Sequence, residues 1–120
     1  MIFSKRKKGA AAELAALNYL KKQGLTLIEQ NYYCRLGEID LVMKDNACIV
    51  FVEVRQRQRN SYGNAAASIT KKKQNHVRLS AQCYLHQYHL THQCASRIDV
   101  VSIDGDYQIE KNIQWFKNAF

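Results

Sequence analysis

The chain has no proline and only five glycines among its 120 residues, so element ends have to be read from caps, charges and turn residues rather than from proline stops. No apolar run approaches the ~20 residues that a membrane-spanning helix needs. The first residues, Met1-Ile2-Phe3-Ser4-Lys5-Arg6-Lys7-Lys8, lack the apolar stretch and cleavage site of a secretory leader. A cytoplasmic location without a membrane partner is expected. The four cysteines, Cys34, Cys48, Cys83 and Cys94, make no CxxC pair, and in that compartment reduced thiols are the default. Cys83, His86, His89, His92 and Cys94 follow one another at short steps, which leaves two readings open: zinc ligands on one side of a helix, or a polar helix end in water. No internal repeat or low-complexity linker is visible. One domain over 1–120 is expected, with its core at about 8–110, a short basic segment before it and a tail after it.

Acids are also scarce. Ten Asp and Glu stand against eighteen Lys and Arg, a formal charge of +8 that attracts polyanions. The cations gather at Lys5 to Lys8, Arg55 to Arg59 and Lys71 to Lys73. A solvated basic surface is the plain reading of such clusters, and a phosphate-binding surface the functional one.

Against that scarcity, two strand-like segments each carry an acid among apolar residues. They are Gly37-Glu38-Ile39-Asp40-Leu41-Val42 and Val50-Phe51-Val52-Glu53-Val54-Arg55. Burying a carboxylate there is costly unless it is paired or bound to a cation. The segment Met43-Lys44-Asp45-Asn46-Ala47 reads as a hairpin turn, so the strands should be antiparallel neighbours. Alternation then puts Glu53 and Arg55 on one face and Val52 and Val54 on the other. A divalent ion shared by Asp40 and Glu53 explains the pair best; ion pairs with Arg35, Arg55 or Arg57 are the alternative. Glu38 follows the same two-residue period as Asp40 and is either a supporting carboxylate or an exposed strand entry.

Around these strands the order reads α-β-β-β-α-β, followed by a short hairpin strand. A first helix spans Ala10 to Leu20 with Leu14, Leu17, Tyr19 and Leu20 on its buried side, and Gly24 stops it. Leu25 to Tyr32 is the first strand. Gln56 to Asn64 reads as a mobile loop, and Ala65 to about Tyr88 as a second helix with Ile69, Val77, Ala81, Tyr84 and Leu85 inward. Arg97 to Ile103 makes a fourth strand, with Asp99 paired to Arg97. Asp104-Gly105 then turns the chain into a strand at Tyr107-Gln108-Ile109.

GEIDLV followed by VFVEV and Arg55, with Ala12-Glu13-Leu14-Ala15 and Tyr19-Leu20 on the helix before them, resembles the bacterial YraN-like family, also called UPF0102. That family is similar to archaeal Holliday-junction resolvases and to the wider restriction-endonuclease-like superfamily. The resemblance covers about Lys8 to Ser102. It implies an α/β fold with a restriction-endonuclease-like core, a mixed central sheet flanked by helices. It also implies a metal-dependent DNA endonuclease, with branched or damaged DNA as the substrate class. In the superfamily pattern an Asp is followed by Glu-x-Lys, with a further acid on the first helix. Asp40, Glu53 and Glu13 match those positions, whereas the lysine position holds Arg55.

By that resemblance Mg²⁺ or Mn²⁺ would be held by Asp40, Glu53 and the carbonyl of Val54, and Glu13, Asp40, Glu53 and Arg55 would form the catalytic set. Arg55 stays protonated and can stabilise charge but cannot serve as a base. Glu13 is otherwise a solvent-facing helix acid. Arg55, Arg57, Lys72 and Lys73 would hold DNA phosphates, and Lys73 could bring an ammonium to the site. A nucleic-acid-binding protein that keeps the fold without catalysis is the second reading, for which Arg55 is the reason. A homodimer is compatible with either.

Overall fold

The computed structural model describes residues 2–57 and 68–120, with side chains from Gly9 onward in the first helix. Helix α1 spans Ile2–Lys22 and is followed by three antiparallel strands, β1 (Thr26–Cys34), β2 (Gly37–Asp45) and β3 (Cys48–Arg57). Helix α2 (Lys71–Gln87) carries the chain over to β4 (Ser96–Asp104), which pairs with β3 in parallel. A parallel neighbour needs such a crossover, and α2 supplies it. A 3₁₀ turn at Glu110–Asn112 leads into β5 (Ile113–Phe116), antiparallel to β4. The sheet is mixed, five-stranded and ordered β1-β2-β3-β4-β5.

Among the described residues, each face of the sheet buries one helix. Ala12, Ala16, Leu17 and Leu20 of α1 pack on Leu41, Met43, Val50, Val52, Val101 and Ile103. Val77, Ala81 and Tyr84 of α2 pack on Tyr32, Val42, Phe51 and Ile98. Tyr84 sits edge-on to Tyr32 and Phe51, with ring centroids 5.1 and 5.6 Å apart. Each such fully buried side chain stabilises the fold by roughly 1.5–3 kcal/mol.

Several boundaries differ from the sequence reading. The first helix begins well before Ala10, and Leu14 is 53% exposed, because the small residues Ala12 and Ala16 take the inward positions instead. Of the expected loop Gln56 to Asn64, Gln56 and Arg57 belong to β3, and the remainder lies outside the described residues. The second helix starts at Lys71, since Thr70 is extended and its side chain accepts the Lys73 N–H as an N-cap. The expected start at Ala65 lies outside the described residues; Ile69 is buried although it precedes the helix.

Tyr107 to Ile109 is not a strand. Asp106 accepts the Gln108 N–H on its side chain, while its carbonyl accepts from Ile109 N–H and Asn112 Nδ2, and these bonds coil the segment. The pairing with β4 falls instead to Ile113–Phe116. Asp99 pairs with Arg97 as expected, at 3.0 Å, and also accepts from Trp115 Nε1 and Asn118 N, so a fully buried carboxylate has its donors.

Candidate functional site

The β2–β3 ladder runs from Asp45↔Cys48 to Leu41↔Val52 and stops there. At the next step Asp40 reaches across with its side chain: Val54 N–H donates to Asp40 Oδ2 at 2.8 Å. The strand also changes side at this point. Leu41 packs with the α1 cluster, yet Ile39 packs with the α2 cluster, where regular alternation would join it to Leu41. Between the β1 partners of those two residues lies Asn31, at φ 53°. The acid is therefore placed by a break in the ladder, and the freed backbone donor of β3 anchors it.

Glu53, 7% exposed, lies within hydrogen-bonding reach of Asp40. Its Oε2 faces Lys73 Nζ at 3.5 Å, while its Oε1 is enclosed and has no donor. Burial, and then the charge of Asp40, push the Glu53 carboxyl up to about 8, against the opposing pull of Lys73. Burial raises Asp40 as well; the Val54 N–H opposes this and the charge of Glu38 adds to it. The charge of Asp40 thus disfavours ionisation of Glu53, and the one cation beside them, Lys73, opposes this only in part. Among the described residues no three His, Cys, Asp or Glu side chains converge as a complete metal cage. The Cys83–Cys94 segment is not gathered as one either.

The other expected site residues are arranged less simply. Glu13 is half-buried on α1, with Oε2 3.6 Å from where a Cβ on Gly9 would lie. Arg55 is exposed and donates from Nε to Ser68 Oγ at 2.9 Å, so its guanidinium is directed to the segment before α2. Arg57 makes a two-bond pair with Asp104, at 3.0 and 3.3 Å, with its side chain only 8% exposed. Its guanidinium holds Asp104 below the ordinary carboxyl range. Lys72 is exposed. Among the described residues the cation at Glu53 is Lys73, in place of any of the three arginines weighed from the sequence.

Sequence reasoning missed Tyr33 and His76, and weighed Arg35 only as an ion-pair partner of the acids. With Glu38 and Lys73 they line a cleft of about 300 Å³ beside the carboxylates. The helical i, i+3 step from Lys73 to His76 was a usable signal. The larger cavity, about 960 Å³, lies against Leu36, Leu79, Cys83 and His86 and has no carboxylate in its lining.

The fold and its two acids, Glu53 buried and Asp40 half-buried, define an α/β protein with a two-carboxylate site joined through Lys73 to a neighbouring cleft. The chain belongs to the uncharacterised protein family UPF0102, whose pattern matches residues 12–103. It is 46% identical over 115 residues to the UPF0102 protein lpg2994 of Legionella pneumophila, covering 96% of this chain and 95% of that one. It is 46% identical over 113 residues to the UPF0102 protein NE0719 of Nitrosomonas europaea, covering 94% and 92%. Against the UPF0102 protein HEAR0176 of Herminiimonas arsenicoxydans the identity is 46% over 111 residues, covering 92% and 84%. No described helix is long and apolar enough to cross a membrane.

Proposed function

We propose that this protein is a metal-dependent endonuclease of the cytoplasm that hydrolyses phosphodiester bonds in DNA, with branched or damaged DNA as the substrate class. The observation that carries the reading is Glu53, a buried carboxylate with one oxygen on Lys73 and the other without a donor, set against a second acid that has its own backbone anchor. A stable protein gains nothing from two neighbouring acids with a buried oxygen left without a donor, whereas a site that receives a hard cation needs such oxygens. Asp40, Glu53 and the Val54 carbonyl would hold Mg²⁺ or Mn²⁺. Two side-chain carboxylates suit Mg²⁺, which keeps several waters and takes phosphate oxygens. Such an ion makes water more acidic and offsets charge on phosphorus.

The chain's own groups have distinct tasks. The Lys73 side chain, 42% exposed with its ammonium still within reach of Glu53, can hold a non-bridging phosphate oxygen and stabilise the extra charge as the bond breaks. The attacking water would be activated by the metal or by the Glu53 carboxylate beside it. Asp40 is fixed by Val54 N–H and keeps the site's geometry. Lys73 thereby takes the task of the lysine that the superfamily pattern places at Arg55.

A binding protein without catalysis is the second reading, favoured by the engagement of Arg55 with Ser68. Incubation with linear, flapped and four-way DNA across Mg²⁺ and Mn²⁺ concentrations separates the two. Cleavage is expected in the wild type and lost in Asp40→Asn and Glu53→Gln, with DNA binding retained or tighter because each change removes negative charge facing phosphate. If neither substitution changes Mn²⁺ affinity and no DNA is cut, the nuclease reading fails.

A further inference from the structure

The β1–β2 turn is held tightly against α2. A Cβ on Gly37 would lie 3.0 Å from Ser80 Oγ and 3.7 Å from His76 Cβ, so the glycine allows a close approach that fixes the turn beside the helix. Between them is the cleft of about 300 Å³, at the lower end of the roughly 300–1,000 Å³ of small-molecule sites. It has room for one nucleotide and none for a duplex.

Its lining suits that ligand. Arg35 and His76 are exposed on opposite walls, from the turn and from α2. Tyr33 is 48% exposed, and lies opposite Glu38 in the β1–β2 register. A solvent-facing aromatic beside basic side chains is how single-stranded nucleic acid is held without sequence preference, by base stacking beside phosphate contacts. Lys73 belongs to this cleft and also faces Glu53, so one side chain joins the cleft to the acid pair.

We propose that this cleft receives one unstacked nucleotide adjoining the bond to be cut, with its base on Tyr33 and its phosphate between Arg35 and His76. This rests on the nuclease reading and narrows it: the substrate has unpaired nucleotides at the cut, as at a flap, gap or branch point, and an intact duplex is a poor one.

Fluorescence anisotropy in EDTA with labelled oligothymidylate, a fully abasic strand of equal length and a duplex tests it. The wild type should bind the base-bearing strand roughly tenfold or more tighter than the abasic strand, the scale of one stacked base. Tyr33→Ala should bind both strands alike, at the wild-type abasic affinity, and Tyr33→Trp should restore the preference. Arg35→Ala should weaken both strands equally and flatten the log-log salt slope by about 0.7. Tyr33 is half in solvent, so circular dichroism should match the wild type. A wild type indifferent to the bases, or a preference that persists in Tyr33→Ala, overturns the assignment. Mn²⁺ titration by calorimetry tells the two failures apart: Mn²⁺ bound through Asp40 and Glu53 without base preference removes the cleft alone, and loss of both Mn²⁺ and strand binding removes the nuclease reading with it.

Discussion

Glu53 carries a cost that its chemistry explains. Its ordinary carboxyl pKa of 4.5 rises to about 8 in the folded protein, first through burial and then through Asp40. Between these two values the folded chain binds a proton that the unfolded chain has released, so stability falls as pH climbs from about 4.5 to about 8. A neutral isostere escapes that loss. Glu53→Gln should therefore be the more stable protein at pH 8, by a few kcal/mol or roughly 5–10 °C in Tm, with the advantage vanishing toward pH 4.5. Thermal melts in EDTA across that range check this. A Gln variant that melts below the wild type by the same margin at every pH would make Glu53 a plain structural acid. The same proton competes with a divalent ion, so Mn²⁺ affinity should climb with pH and level off above about 8.

At the scale of elements, the site depends on how closely the β1–β2 turn sits on α2. Gly37 has φ 148°, and Ser80 Oγ is held by its own bond to the His76 carbonyl at 2.8 Å, so a methyl at position 37 meets an atom that cannot easily swing aside. Gly37→Ala should destabilise by about 1–3 kcal/mol and weaken cleavage by moving Lys73 relative to Glu53. Adding Ser80→Ala clears the 3.0 Å contact and should restore part of both, as denaturant melts and cleavage rates would read. Two non-interacting effects that simply add would deny that contact any role. These relations mark the limit of what the sequence discloses. Acids in apolar strands, the Asn46 turn and the inward positions of α2 are local or periodic, and Asp40, Glu53 and Val77-Ala81-Tyr84 were legible for that reason. The change of side at Asp40, the approach of Gly37 to Ser80 and the reach of Lys73 to Glu53 exist only once α2 lies on the sheet. The cap at Thr70 that starts α2 at Lys71 was hidden because no proline marks the boundary.

For the whole molecule, the net charge of +8 matters only through the cations left to meet a polyanion. Arg57 and Arg97 are engaged in ion pairs with Asp104, Asp45 and Asp99. Arg35, Arg55 and Lys72 are exposed, and Lys73 is 42% exposed at its loose pair with Glu53. Four phosphate contacts from these residues give a log-log salt slope of about −3 on single strands. Lys72→Ala should flatten it by about 0.7 without changing Tm, the behaviour of an exposed charge that touches only phosphate. Arg57→Ala should do the reverse. It leaves Asp104 without its guanidinium in a side-chain environment that is 28% exposed, so Tm falls while the salt slope stays at the wild-type value. Binding isotherms from 50 to roughly 300 mM salt, read beside melts of the same two variants, decide the matter. If Arg57→Ala flattens the slope as Lys72→Ala does, the Asp104 pair opens on DNA and the basic surface extends across β3. If affinity ignores salt altogether, the positive field has another use and the phosphate contacts proposed for Arg35, Arg55, Lys72 and Lys73 fall together.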